Sequence, residues 1–317
     1  METVPCVLCH SEERELVCTA GDRLAGARGL PAGEFTLVRC RSCGLVCLDP
    51  RPTREEMAAF YPDDYHTPSG SPGRLQRLAE AYRLRQHVEV VHWLARRRPA
   101  RGRLLDVGCG AGELLVMLRS DGWSVSGVEP SPAAVATARG RHRLDVREGG
   151  IDDVDLPAGA YDVVVLAAVL EHLPDPVAAL NRVRELLAPG GLVAVLFLPL
   201  LTSPQARLFG GRWLGLDAPR HLHHFESATF ARAAQQAGLR IDSVETYSRR
   251  HNATLWVSSL FPGLQKQRLN MLASRSKAKA AAGAAAYFAL TTAARPLARV
   301  EASLGVAPVR SYFLTAL

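Results

Sequence analysis

The feature that most constrains the fold is a row of glycines directly after a short apolar segment. Residues 104–107 are apolar without alternation, which is typical of a buried parallel strand. Gly108, Gly110 and Gly112 follow, and residues 113–120 have helical character. A strand, a glycine turn and a helix N-terminus form a cradle that a nucleotide can approach closely. The sequence therefore predicts a nucleotide-binding α/β fold.

Strands and helices continue to alternate beyond this turn, and Glu129 ends the second strand. An acid at that position can hold both hydroxyls of a ribose. Regular alternation predicts a doubly wound parallel sheet. Further strands are expected over residues 123–129, 143–148, 161–167, 191–198 and 239–247, and helices over residues 177–187 and 230–237.

At these positions the chain resembles the class I S-adenosylmethionine-dependent methyltransferases. The sixth position of the turn is Glu113, whereas a dehydrogenase turn would need glycine there. The resemblance implies a Rossmann-like sheet of seven strands with S-adenosylmethionine at the glycine turn. The segments that carry it are Leu105-Asp-Val-Gly-Cys-Gly-Ala-Gly112, Glu129-Pro-Ser131, Tyr161-Asp162, Leu170-Glu-His-Leu-Pro-Asp-Pro176 and Leu187-Ala-Pro-Gly-Gly191.

The same resemblance implies which residues hold the cofactor. It puts the methionine part near Asp106, the ribose at Glu129, and the adenine near Ile151 and Asp152. The loop that begins at Ala167 would pass beneath the sulfonium. The full implied set is Asp106, Gly108, Gly110, Gly112, Glu129, Pro130, Ile151, Asp152 and Ala167. Glu171 and His172 are interpreted as residues that cap and orient the next helix.

Four of the seven cysteines form two C-x-x-C pairs, Cys6 with Cys9 and Cys40 with Cys43. Two such pairs complete the tetrahedron that Zn²⁺ prefers. A site closed by four thiolates has no open position, so a structural zinc is expected. The alternative is four cysteines without a metal.

The resemblance extends to bacterial methyltransferases of natural-product, sugar and cell-envelope pathways that carry an N-terminal zinc module. The matching segments are Cys40-Arg-Ser-Cys-Gly-Leu45, Phe60-Tyr-Pro-Asp-Asp-Tyr65 and Asp217-Ala-Pro-Arg-His-Leu-His-His-Phe225. In the zinc-containing sugar C-methyltransferases, the His of a Glu-His-Leu motif deprotonates the substrate, with help from its Glu and a Tyr. Here the motif is Arg220-His-Leu222, so Arg replaces Glu.

The resemblance therefore implies that His221 is the general base, with His224 and Tyr65 as further catalytic candidates. Arg220 is expected to lower the pKa of His221 by charge repulsion or to hold an anionic group of the acceptor. A purely structural histidine cluster is an alternative. A metal bound by His221, His223 and His224 is disfavoured, because the H-x-H-H pattern contains no acidic ligand.

Charge is unevenly distributed around the net value of +7. Residues 74–103 hold nine arginines against two glutamates, and residues 249–317 hold ten basic residues against Glu301. Basic segments can serve nucleic acid, anionic lipid or a phosphorylated substrate, or simply lie in water. The alanine-rich residues 280–294 are too few to span a bilayer. They are expected either to lie on anionic lipid or to pack as a helical cap.

The predicted fold class is α/β, a doubly wound seven-stranded sheet with a small N-terminal zinc ribbon and a helical C-terminal insertion. The expected divisions are residues 1–50 for the zinc ribbon, 51–101 for a tyrosine-containing lid and basic helix, 102–251 for the cofactor domain with a substrate loop at 199–226, 252–306 for the insertion, and 307–317 for the last strand.

The sequence thus predicts methyl transfer to a small biosynthetic intermediate, at carbon or oxygen, with a sugar-, phosphate- or lipid-linked acceptor. The N-terminus lacks a signal-peptide pattern, so a cytoplasmic enzyme at or near the inner membrane face is expected. One alternative is an RNA methyltransferase, although the Asn/Asp-Pro-Pro-Tyr signature is absent after the fourth strand. Another is a non-catalytic zinc-ribbon adaptor with a relic cofactor fold.

Overall fold

The computed structural model describes residues 1–24, 33–61, 84, 87–265, 268–269, 272 and 276–317. Its strands form one sheet of four and one of seven. The strands are β1 (Arg14–Gly21), β2 (Glu34–Cys40), β3 (Val46–Leu48), β4 (Arg103–Val107), β5 (Ser124–Glu129), β6 (Asp145–Glu148), β7 (Tyr161–Ala167), β8 (Leu187–Pro199), β9 (His223–His224), β10 (Leu239–Glu245) and β11 (Val309–Ala316).

The larger sheet has the order β10-β11-β8-β7-β4-β5-β6. The neighbours among β4 to β8 pair in parallel, whereas β11 is antiparallel to both β8 and β10. Residues 191–199 of β8 are buried without interruption, as expected for a strand covered on both faces. The predicted seven-stranded sheet and its antiparallel last strand are confirmed.

Helices cover this sheet, and several of them begin at a side chain that caps the helix N-terminus. They are α1 (Arg54–Met57), α2 (Val88–Arg97), α3 (Glu113–Ser120), α4 (Pro132–His142), α5 (Pro176–Leu186), α6 (Pro204–Phe209), α7 (Ser227–Gln236), α8 (Asn252–Leu260) and α9 (Lys277–Ser303). Asp175 caps α5 by accepting hydrogen bonds from the backbone of Val177 and Ala178. The expectation that Glu171 and His172 cap this helix is wrong, because they lie in a separate 3₁₀ turn.

The smaller sheet is not built from the N-terminal residues alone. Its order is β1-β2-β3-β9, and β9 comes from the segment after β8, more than 170 residues along the chain from β3. Cys47 pairs with His223 and Val46 with His224. The cysteine-containing module therefore shares a strand with the expected substrate loop, and the boundary at residue 50 stays a prediction.

A buried arginine joins the two sheets. The Arg220 guanidinium is fully buried and donates to Asp22 Oδ1 at 2.7 Å and to Asp217 Oδ1 at 2.9 Å. It also donates to the Phe60 carbonyl at 3.2 Å. Three separate chain segments thus converge on one side chain, so Arg220 is expected to be essential for their arrangement.

The alanine-rich run lies in α9, which packs against α8. Glu301 of α9 accepts hydrogen bonds from Trp256 at 3.1 Å and Gln205 at 2.8 Å. These buried contacts support the helical-cap interpretation, while Phe288 on the same helix is about half exposed. Among the described helices, none combines the length and apolar character needed to cross a membrane. Lipid contact by this helix stays a prediction.

We expect Arg220→Met to lower the free energy of unfolding by about 3–5 kcal/mol, because Asp22 and Asp217 lose their buried cation. Urea unfolding followed by circular dichroism measures the change. Arg182→Met is the control, since Arg182 pairs with Glu185 at the surface and such pairs contribute about 0–1 kcal/mol. Equal losses in the two variants would contradict the role assigned to Arg220.

Candidate active site

The glycine turn after β4 has a backbone that only glycine adopts without strain. Gly108, Gly110 and Gly112 have φ values of +69°, +55° and +84°. A Cβ on Gly112 would lie 2.3 Å from Leu144 Cδ1, and one on Gly108 would lie 2.6 Å from Val169 Cγ2. Side chains therefore already fill the space at these two glycines, and a larger residue at either position would have to displace them.

Two buried carboxylates flank this turn. Glu129 Oε2 accepts from the Gly110 amide at 2.9 Å, and Oε1 accepts from the Ser131 amide at 2.8 Å. Asp106 is 2% exposed, and its Oδ1 has no hydrogen-bond partner among the described residues. Burial, and then the charge of Glu129, raise the pKa of Asp106 to about 8. A positively charged ligand group would offset both effects.

The remaining residues of the expected cofactor set lie at the same edge of the sheet. The Gly149 amide donates to the Glu129 carbonyl at 3.1 Å, which ties the loop after β6 to the end of β5. Ile151 is buried in the core, whereas Pro130 and Asp152 are exposed. It is Asp153 Oδ2 that accepts from the Gly150 amide at 3.1 Å, and the same oxygen pairs with Arg54.

The loop after β7 brings a second group of polar residues next to the glycine turn. Ala167 ends the strand, and Ala168 has a φ of +56°, which is uncommon for a residue with a side chain. Val169 then packs against Gly108. The 3₁₀ turn at residues 170–172 therefore begins within a few residues of the expected cofactor cradle.

Glu171, His172 and His221 form a cluster at this edge. One potential ligand atom from each residue lies within 4.8 Å of the other two. His221 Nε2 is 3.9 Å from Glu171 Oε1, and the two imidazole rings meet edge to face with centroids 4.6 Å apart. The Leu222 amide donates to the Glu171 carbonyl at 2.8 Å and thereby fixes the two loops together.

Backbone carbonyls set the protonation of both rings. His221 Nδ1 lies 3.0 Å from the Gly215 carbonyl and His172 Nδ1 lies 3.0 Å from the Arg220 carbonyl. A carbonyl only accepts, so each Nδ1 carries the hydrogen and each Nε2 keeps the lone pair. Burial lowers the pKa of His172 to about 3 and that of His221 to about 4, so both rings are neutral near pH 7.

Arg220 does lower the pKa of His221, as expected, but only as a minor cause, and its expected contact with an acceptor is not supported by the geometry. Burial is the largest cause of the lowered pKa of His221, and Arg220 contributes least among the causes. The guanidinium is occupied by Asp22, Asp217 and the Phe60 carbonyl, so it does not face an acceptor. Arg220 instead positions its neighbours through its backbone and its ion pairs.

The other catalytic candidates lie apart from this cluster or outside the described residues. His223 Nε2 lies 3.3 Å from the Pro174 carbonyl. His224 is 1% exposed, and neither of its ring nitrogens has a hydrogen-bond partner in the described part of the chain. Tyr65 lies outside the described residues, whereas Tyr61 Oη is 3.1 Å from His172 Nδ1.

Sequence reasoning missed Glu171 as a partner of His221. The two residues lie fifty positions apart, in the loop after β7 and in the segment after β8, so local spacing does not connect them. The available signal was topological, because the carboxyl ends of parallel strands meet at one edge. That rule applied to β7 and β8 would have placed Glu171 and His221 on the same side of the sheet.

The four paired cysteines converge at the N-terminal module. Cys6 Sγ lies 3.5 Å from Cys43 Sγ, and Cys9 Sγ lies 3.4 Å from Cys40 Sγ. All four sulfurs lie within 4.8 Å of one another. Zn–S bonds of about 2.3 Å place sulfurs about 3.8 Å apart in a tetrahedron, so the set fits a zinc ion.

Comparison with known proteins agrees with this site. A family model described as "Methyltransferase domain" matches residues 78–244. The chain is 33% identical over 172 residues to the ubiquinone biosynthesis O-methyltransferase of Xanthomonas axonopodis pv. citri, covering 50% of this chain and 70% of that protein. The enzyme of the same name from Pseudomonas aeruginosa is 31% identical over 171 residues, covering 49% of this chain and 72% of that protein.

Solved structures also match. The magnesium protoporphyrin IX methyltransferase of Synechocystis PCC 6803, solved with bound SAH, is 19% identical to this chain. The match covers 56% of this chain and 82% of that one, with a TM-score of 0.43.

Protein purified without chelator is expected to hold about one zinc per chain at Cys6, Cys9, Cys40 and Cys43, because a thiolate set of this spacing and geometry prefers Zn²⁺. Elemental analysis measures the content. Cys6→Ser should lower it and reduce the melting temperature, whereas Cys18→Ser should change neither property, since Cys18 lies outside the cluster. Less than about half an equivalent in the unaltered protein would refute the assignment.

Proposed function

This chain belongs to the methyltransferase-domain family and is an S-adenosylmethionine-dependent methyltransferase, and we propose that it methylates a hydroxyl oxygen of a small organic acceptor. The observation that carries the proposal is the cluster of Glu171, His172 and His221 beside the glycine turn. A cofactor on one side of Val169 and an acceptor on the other would bring methyl donor and nucleophile together. Positioning of this kind supplies much of the rate of a displacement reaction.

The residues around the glycine turn fit a cationic cofactor. Once bound, S-adenosylmethionine supplies an already activated methyl group on a sulfonium. Asp106 has a buried oxygen without a partner among the described residues, and Glu129 lies beside it at the end of β5. Asp106 is proposed to face the methionine part and Glu129 the ribose. The adenine is proposed to lie near Asp152 and Pro130, which are exposed, and Ile151, which is buried.

The proposed reaction needs loss of the acceptor proton. The acceptor oxygen forms its bond to the methyl carbon as the bond from carbon to sulfur breaks, and the hydroxyl proton leaves at the cluster. His221 is the residue proposed to assist proton removal, because its Nε2 keeps the lone pair and its side chain is partly exposed. His172 lies against it and orients it. His224 packs behind His221, at a ring-centroid distance of 5.9 Å.

Two observations support oxygen rather than carbon as the acceptor atom. The relatives from Xanthomonas and Pseudomonas are named as O-methyltransferases. In addition, the position of the Glu in the C-methylation motif is held by Arg220, whose side chain is committed to structural ion pairs. No contact of the described residues favours RNA, a sugar, a phosphate or a lipid as the linked group. The relic-adaptor alternative is set aside by the family membership.

Glu129→Gln is expected to weaken S-adenosylmethionine binding roughly 10- to 100-fold, because hydrogen bonds to a charged group contribute about 1.5–3 kcal/mol. Isothermal titration with S-adenosylhomocysteine measures the affinity. The matched control is Glu148→Gln, at the paired position of the neighbouring strand, with its side chain exposed. If Glu129→Gln binds as tightly as the control, Glu129 does not hold the ribose.

His221→Ala is expected to lower kcat by about 10²- to 10⁴-fold, the usual contribution of a group that assists proton removal, while cofactor affinity is retained. Transfer of labelled methyl groups to a panel of phenolic and alcoholic acceptors provides the assay. His223→Ala serves as the control, because His223 lies outside the cluster. A large loss in the control, with His221→Ala still active, would move the role away from His221.

A further inference from the structure

Glu171 is a buried acid whose side chain has no evident structural use. It is 1% exposed, and its Oε2 has no hydrogen-bond partner among the described residues. Leaving a buried carboxylate oxygen without a partner is unfavourable. The helix that follows takes its cap from Asp175, so Glu171 is not needed there. Its carboxylate faces His221 instead.

The atoms that face each other in this cluster both carry lone pairs. His221 Nε2 and Glu171 Oε1 are 3.9 Å apart, and the Nδ1 hydrogen of His221 is directed to the Gly215 carbonyl. Burial raises the pKa of Glu171 to about 8, but the 3.9 Å separation is too long for a hydrogen bond between these two atoms in either direction. His172 repeats the pattern, because the Arg220 carbonyl accepts from its Nδ1. Histidines that bind metals show this feature, with the second nitrogen fixed by a carbonyl or carboxylate.

We propose that Glu171, His172 and His221 bind a divalent transition-metal cation, distinct from the zinc expected at the four cysteines. One ligand atom from each residue already lies within 4.8 Å of the other two. Bonds of about 2.1 Å place ligands about 3 Å apart at right angles, so the ligand atoms need to approach one another by about 1–2 Å. Two imidazoles and one carboxylate suit Mn²⁺, Co²⁺, Fe²⁺ or Zn²⁺, whereas Mg²⁺ and Ca²⁺ prefer oxygen ligands.

The surroundings also favour a cation. The nearest arginine, Arg220, is paired with Asp22 and Asp217, so that group carries a net negative charge. The backbone bond from Leu222 to the Glu171 carbonyl holds the two ligand-bearing loops together before any ion arrives.

The catalytic consequence rests on the proposed function and deepens it. Three protein ligands on one side leave coordination positions open for an acceptor hydroxyl. A cation there lowers the pKa of the bound hydroxyl, so that its proton passes to solvent water near neutral pH. The oxygen then takes the methyl group, and the products are the methyl ether and S-adenosylhomocysteine. His221 would then assist proton removal through the bound cation, as one of its ligands, instead of taking the proton itself.

Titration of the zinc-loaded full chain with Mn²⁺, followed by electron paramagnetic resonance of the free ion, tests the site. We expect saturable binding of one Mn²⁺ per chain. Glu171→Gln, of the same shape but unable to become a carboxylate ligand, should abolish that binding without lowering the melting temperature, because Glu171 Oε2 has no hydrogen-bond partner to lose. His223→Ala, whose ring lies outside the cluster, should bind Mn²⁺ like the unaltered protein.

A second probe separates the two metal sites. Co²⁺ at Glu171, His172 and His221 should give weak d–d bands without the thiolate-to-cobalt charge-transfer bands of a cysteine site. No Mn²⁺ binding by the unaltered chain, or equal binding by Glu171→Gln, would overturn the inference.

Methyl transfer is scored separately from metal binding. Full activity in protein from which the metal at Glu171, His172 and His221 has been removed would refute a catalytic role for the cation while leaving the proposed function intact. Saturable Mn²⁺ binding without transfer to any hydroxyl acceptor would refute the proposed function while leaving the metal site intact.

Discussion

The buried Arg220 ion pairs are the interaction on which the acceptor side of the molecule depends. The guanidinium bridges Asp22 of the N-terminal module and Asp217 of the segment after β8. Its own carbonyl accepts from His172, and the next residue is His221. Removing one partner of such a buried group is far more costly than the pair is stabilising, because the remaining charges stay in the interior. One arginine therefore fixes three chain segments and, through its backbone, the orientation of the histidine cluster.

The cofactor side is held by a different principle, which is close backbone packing. Leu144 and Val169 fill the space behind Gly112 and Gly108, so a side chain at either glycine would have to displace them. Val169 also leads directly into the turn that carries Glu171. A single loop thus closes the cradle on one face and starts the candidate catalytic cluster on the other. Burial and the charge of Glu129 raise the pKa of Asp106, and a sulfonium cofactor would favour the charged form of this buried acid.

The N-terminal module contributes to the same arrangement through β9. Its third strand pairs with His223 and His224, and Cys6 and Cys40 lie in one apolar cluster with Phe225 and Phe230. A zinc ion at the cysteines would therefore stabilise the core next to the histidine segment. The module shares its sheet with the histidine segment, so it forms part of the proposed acceptor region and is not an independent unit.

The sequence by itself determined the parts whose signals are local. Uninterrupted apolar strands, alternation with helices, and positive-φ glycines after β4 specify the sheet and its cradle, because periodicity and backbone freedom are properties of neighbouring residues. The spacing of the paired cysteines likewise predicts their cluster by itself. Only the tertiary structure decided that Glu171 faces His221, that Arg220 is buried rather than presented to an acceptor, and that β9 completes the smaller sheet. These contacts join loops that are distant in sequence. The contacting residues are determined by burial and by the meeting of strand ends at one edge of the sheet, and no local sequence pattern predicts either.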